Sequence, residues 1–157
     1  MSAIDQADLS GTPFPDITHG YSTLIKKVME KEKISVRQLY ERCRLRHRAT
    51  FKKRLDNGTL LMDETMQCLR ALNIDPIRAF VAVYQLENPD AYFDPVNETA
   101  AIMQLELTRA LNECNAAASG DFEPIKQGLA RSLAGDLAKR VAAHQERVRE
   151  ARYCNNA

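Results

Sequence analysis

The sequence predicts an all-α protein: a bundle of five short helices over residues 19–88, followed by two long helices over 96–153 that fold back as an α-helical hairpin. Three observations predict it. Apolar residues recur at i, i+3, i+4 and i+7 in one segment after another, and no stretch keeps the strict alternation of a half-buried strand. Capping residues, glycine and proline punctuate the first half at short intervals and hold its helices to a few turns. Charge is also unevenly divided. The net charge of the 157 residues is only +1, yet residues 21–55 hold twelve Lys and Arg against three Glu, a net +9 that leaves −8 for the rest. Such asymmetry points to a polyanionic partner for the basic half.

The elements follow in order. Residues 1–18 contain Ser, Gly, Thr, Pro and Asp with no periodicity, and read as a flexible N-terminal arm. The first helix runs from about His19 to Lys33, with Tyr21, Leu24, Ile25 and Val28 as its apolar stripe. Ser35 caps the second, and Gln38 three positions on completes a capping box. Val36, Leu39, Tyr40 and Cys43 form its stripe. The third starts near Arg46 or His47, buries Phe51 and Leu55, and stops at Asp56-Asn57-Gly58. Asp63 caps the fourth, with Met66, Leu69 and Leu72 inward. Asp75-Pro76 opens the fifth, whose stripe is Ile77, Phe80, Val81 and Tyr84, and Asn88-Pro89-Asp90 ends it. Residues 90–96 make a hinge whose Tyr92 and Phe93 pack back on the bundle.

The second half is simpler. A helix from about Val96 to Ala118 carries Met103, Leu107, Leu111 and Cys114 on one face. Gly120-Asp121 interrupts the pattern, and Pro124 sits where a new helix can begin. Ile125, Leu129, Leu133, Leu137 and Val141 then recur every four residues. So long an amphipathic pair has little core of its own. Leu107, Leu111, Leu129, Leu133, Leu137 and Val141 are therefore the candidate interface for a second copy of the chain or another protein.

The third helix makes the most specific chemical statement. At about 100° per residue, the face opposite Phe51 and Leu55 carries Arg46, Ala49 and Lys53, bordered by Thr50 and Lys52. Arg48 and Arg54 lie nearer the buried edge, where long stems still reach solvent. A small residue at the centre of a basic face lets a helix approach a flat partner closely. Arg, Lys and Thr can bond base edges and phosphates, and Ala can touch a thymine methyl.

Residues 21–86 resemble the helix-turn-helix domain of the Cro/CI-like (XRE-type) transcriptional regulators. The resemblance rests on S-V-R-Q-L-Y at the start of the second helix, R-A-T-F-K-K-R-L for the third, the D-N-G stop, and D-E-T-M-Q-C-L-R-A-L-N-I-D-P after it. Where that family usually holds Gly in the turn, this chain has Arg44 or Leu45. The resemblance implies a five-helix bundle whose third helix enters the major groove of double-stranded DNA. Carried onto this chain, it implies base contacts by Arg46, Arg48, Ala49, Thr50 and Lys53, and phosphate contacts by Ser35, Arg37, His47, Lys52 and Arg54. The expected function is a sequence-specific transcriptional regulator acting as a homodimer on an inverted repeat. The alternative is a protein-interaction module of the same fold that holds RNA polymerase or a co-regulator.

Other classes find no support in the sequence. It has no phosphate-binding glycine loop, no zinc-protease motif and no nucleophile elbow, so neither an enzyme nor a cofactor is expected. Cys43, Cys68, Cys114 and Cys154 form no C-x-x-C pair, and His19, His47 and His144 stand at no ligand spacing from them. They read as reduced, small apolar residues with no metal role. No apolar run is long enough to span a membrane. The first residues lack the basic-then-apolar pattern of a signal peptide, so the expected location is the cytoplasm, on the nucleoid when bound to DNA.

Overall fold

The structure, a computed structural model, describes residues 17–45, 48–117 and 123–154. Within them all regular structure is helical: α1 (Ile17–Lys31), α2 (Val36–Cys43), α3 (Arg48–Asn57), α4 (Met62–Ala71), α5 (Pro76–Phe80), α6 (Pro95–Ala117) and α7 (Gln127–Cys154). A π-helical turn, Val81–Gln85, prolongs α5, and a 3-10 turn, Pro89–Phe93, precedes α6. The expected arm lies outside the described residues except for Ile17 and Thr18, which begin α1. The expected break at Gly120-Asp121 also lies outside them. The chain divides into two compact units between Ala110 and Leu111. That boundary falls within α6 and not in the expected hinge at 90–96.

The core of the first unit is built from one apolar stripe per helix. Leu24, Ile25 and Val28 of α1 meet Leu39 and Cys43 of α2, Phe51 and Leu55 of α3, Cys68 and Leu69 of α4, and Ala79 with Val83 beyond it. Each fully buried Leu or Phe stabilises the fold by about 1.5–3 kcal/mol, so this cluster orients the bundle. Three helices stop in the same way. Lys33 (φ 54°), Gly58 (φ 73°) and Asn73 (φ 52°) turn left-handed after α1, α3 and α4. In each case the next residue's N–H bonds five residues back: Ile34 to Met29 O (2.8 Å), Thr59 to Arg54 O (2.9 Å) and Ile74 to Leu69 O (2.8 Å). These are Schellman closures, which satisfy the last carbonyls of a helix. Gly58 was expected as such a stop, whereas Lys33 and Asn73 adopt the conformation without glycine's freedom.

Two inner faces differ from the expected ones. In α4 the buried residues are Glu64, Thr65, Cys68 and Leu69, while Met66 is 38% exposed. Glu64 can sit inward because Arg54 pairs with its charge there. The N-cap is Leu61 and not Asp63, and the Leu61 N–H donates to Glu64 Oε2 at 3.1 Å. In α5 and the π turn after it the buried residues are Ala79, Val81, Ala82 and Val83, and Phe80 and Tyr84 stack on each other outside, 4.9 Å apart. The inward row runs from Ala79 to Val83, one position before Phe80 and Tyr84, and a π turn closed by Leu86 N–H to Val81 O at 2.9 Å follows Phe80.

The 3-10 turn and the start of α6 are fastened to α5, as expected for Tyr92 and Phe93. Tyr92 Oη accepts from the Asp75 N–H at 3.1 Å, and its ring lies under the Arg78 guanidinium at 4.8 Å. Phe93 sits under Lys31 Nζ at 4.6 Å. The buried Asn97 amide donates to Arg78 O (3.2 Å) and Ala91 O (3.0 Å), and Glu98 pairs with Arg78 at 3.0 Å. The opening turns of α6 are thus part of the bundle.

In α7, 28 residues long, no residue is buried. Leu129, Leu133 and Leu137 are exposed, as are Leu107 and Leu111 of α6, and Val141 is partly covered. The leucines expected as an interface are therefore exposed, with Val141 partly so. Among the described residues, no helix is long and apolar enough to cross a membrane.

Candidate functional site

α2 and α3 present the basic surface, and local sequence sets both. Ser35 Oγ accepts the Gln38 N–H at 3.3 Å, and the Gln38 side chain accepts the Ser35 N–H at 2.8 Å. This is the expected capping box, so the Ser35 hydroxyl is engaged within its own helix start. Arg37 is exposed, with Nε 2.9 Å from Glu41 Oε1 one turn on. At the other end of α2, Arg44 takes φ 52°, and its N–H bonds Glu41 O at 3.3 Å. The left-handed residue of this turn is thus an arginine, at one of the two positions expected to stand in place of the usual glycine.

α3 divides sharply. Phe51 is 0% and Leu55 1% exposed, and both join the core. Arg48, Ala49, Thr50, Lys52 and Lys53 are all exposed, so the outward face read from the wheel is the outward face of the helix. Arg46 and His47 lie outside the described residues. No carboxylate among the described residues forms an ion pair with Arg42, Arg44, Arg48, Lys52 or Lys53. These cations are free for a polyanion.

Arg54 is the exception within the expected set. Its Nε donates to Glu64 Oε2 at 2.8 Å, and its Nη2 donates to Glu64 Oε1. This two-pronged pair ties the last turn of α3 to the first turn of α4. The position of Arg54 on the wheel, towards the buried edge, was the signal for this. Burial pushes the Glu64 carboxyl up, but the Arg54 guanidinium and the Leu61 N–H outweigh it and hold the group below the usual carboxylate range. Lys26 of α1 adds a second tie, donating to Asp56 O at 3.2 Å near the end of α3. A lysine there also complements the negative end of the helix dipole.

The arrangement is a short helix held on both sides by the bundle, with a cationic outer face and a methyl-sized centre. Such a surface can lie in a groove about 12 Å wide between phosphate rows. In comparisons with known proteins, no family model, no curated protein and no solved structure matched the chain.

Proposed function

We propose that the chain is a sequence-specific DNA-binding transcriptional regulator of the Cro/CI-like helix-turn-helix type, in which α3 reads the major groove. One observation carries the reading. Arg48, Lys52 and Lys53 of α3 are exposed and unpaired around Ala49 and Thr50, while the same helix is anchored by two fully buried side chains, Phe51 and Leu55. A protein-binding face would instead present apolar or aromatic side chains. Arg48, Thr50 and Lys53, with Arg46, are the base-reading set around Ala49. Lys52, Arg37 and His47 are the phosphate contacts. Arg54 is left out of that set because Glu64 holds it.

The regulator acts as a homodimer on an inverted repeat. The exposed leucines of α7 support the second copy. They equally favour a second reading, in which RNA polymerase or a co-regulator docks there. The test is selection of bound duplexes from a random DNA pool by the full-length protein. An enriched inverted repeat, with half-sites about one helical turn or a multiple apart, is the expected result. Retention of all duplexes alike, or of none, rejects sequence-specific reading.

A further inference from the structure

Cys43 and Cys68 are 25 positions apart in sequence, yet their sulfurs lie 3.7 Å apart inside the bundle. Cys43 ends α2 and is 6% exposed, and Cys68 lies in α4 and is 0% exposed. Both are free thiols. No third His, Cys, Asp or Glu among the described residues joins them as a metal-ligand group. The segment between them contains all of α3. We infer that Cys43 and Cys68 form a reversible intramolecular disulfide, a thiol–disulfide switch that clamps α2 to α4 around α3 and weakens its hold on DNA.

The chemistry balances with a low-molecular-weight disulfide as oxidant. The Cys43 thiolate attacks one sulfur of that disulfide and expels one thiolate, leaving a mixed disulfide on Cys43. The Cys68 thiolate then attacks the Cys43 sulfur and expels the second. Two protons leave the protein thiols and appear on the two released thiols. Cys43 is the fitting first attacker because it is the more exposed of the two. The hydrogen bond shared with Cys68 also holds the Cys43 thiol below the ordinary range, against the effect of burial. The same hydrogen bond, then burial, push the Cys68 thiol well up.

Closure draws the sulfurs from 3.7 Å to about 2.05 Å. Cys43 is the last residue of α2, next to the left-handed Arg44. The loss of DNA affinity rests on the reading above, whereas the cross-link itself does not.

The experiment uses full-length protein carrying Cys114→Ser and Cys154→Ser, which removes the two exposed thiols. It is equilibrated with oxidised glutathione, denatured, alkylated, weighed and peptide-mapped. The expected product has lost two hydrogens, carries no glutathione and links Cys43 to Cys68. A thiol reductant reverses it, its melting temperature is higher than that of the reduced form, and it binds duplex DNA several-fold more weakly. Cys68→Ala is expected to trap glutathione on Cys43. If that variant does not fold, the mass of the parent protein still decides. Full alkylation of both thiols at equilibrium, or a stable glutathione adduct on Cys43 of the parent, overturns the cross-link. Equal DNA binding by the two forms overturns the switch. DNA binding by neither form defeats the DNA reading, while the mass still settles the cross-link.

Discussion

At Arg44 and Gly58 the backbone takes the same left-handed turn, at φ 52° and 73°, and the two positions are expected to respond to substitution in opposite ways. A side chain in this region costs about 1–2 kcal/mol, partly offset because glycine loses more freedom on folding. Arg44→Gly is therefore expected to stabilise the bundle by about 0.5–1 kcal/mol in denaturant melts. Gly58→Ala is expected to destabilise it by at least about 1–2 kcal/mol, since an added Cβ would also lie 2.4 Å from His19 Nδ1. Equal effects at both positions would show that backbone strain does not control these turns. The Arg54–Glu64 pair supplies a pH test. Glu64 has a lowered folded pKa, so its contribution is present in full above about pH 4.3, the ordinary Glu value. That contribution is lost as the pH falls through the folded value. Glu64→Gln is expected to lower the melting temperature by several degrees at pH 7, with the gap to the parent closing in acid. A gap that persists unchanged at pH 2–3 would mean that packing, not charge, is what the substitution removes.

At the scale of the element, α3 was the most legible stretch. Two apolar residues four apart amid cations fixed which side faces in, and Phe51 and Leu55 are buried accordingly. Phe51→Ala is expected to cost about 3–5 kcal/mol in a thermal or denaturant melt, and unchanged melting would contradict the buried assignment. What periodicity could not supply was pairing. Glu64 stands at no position that marks it as buried, yet it is, beside the Arg54 guanidinium that pairs with it. Cys43 and Cys68 looked unrelated at their spacing and meet because α2 and α4 pack together. Phe80 and Tyr84 read as core because they are the larger side chains, whereas Ala79 and Val83, one position earlier, take the buried row. The DNA prediction separates side chains on this one helix. Arg48→Ala or Lys53→Ala is expected to cost about 1–3 kcal/mol of discrimination between cognate and mismatched sites. Lys52→Ala is expected to weaken both alike and lower the salt slope by about one. Arg54→Ala should act mainly through a lowered melting temperature. If Arg48, Thr50 and Lys53 all tolerate alanine with cognate binding intact, α3 is not the reading element.

For the whole molecule, the question is what covers α7. Leu129, Leu133 and Leu137 are 53%, 54% and 40% exposed, and they repeat along one face of a 28-residue helix. An apolar row of that length is a standing drive to associate, and two copies presenting the same row meet it with a two-fold contact. The full-length protein is expected to sediment as a dimer at micromolar concentration. The triple variant Leu129→Ser, Leu133→Ser, Leu137→Ser is expected to sediment as a monomer, with the melting of the bundle unchanged because none of its core residues is touched. A deletion test has to respect the anchoring of α6. A chain cut at residue 95 loses Asn97, whose buried amide bonds Arg78 O and Ala91 O, and Glu98, which pairs with Arg78. Such a cut would damage the bundle as well as remove α7. Residues 1–110 keep those contacts, and that fragment is expected to fold, remain monomeric and bind an inverted repeat more weakly than the full-length protein, because each half-site is then held alone. A full-length protein that sediments as a monomer would remove the dimer and leave the leucine row to a different protein. A dimer that survives the triple substitution would place the contact elsewhere, with the exposed Phe80–Tyr84 stack the next surface to change.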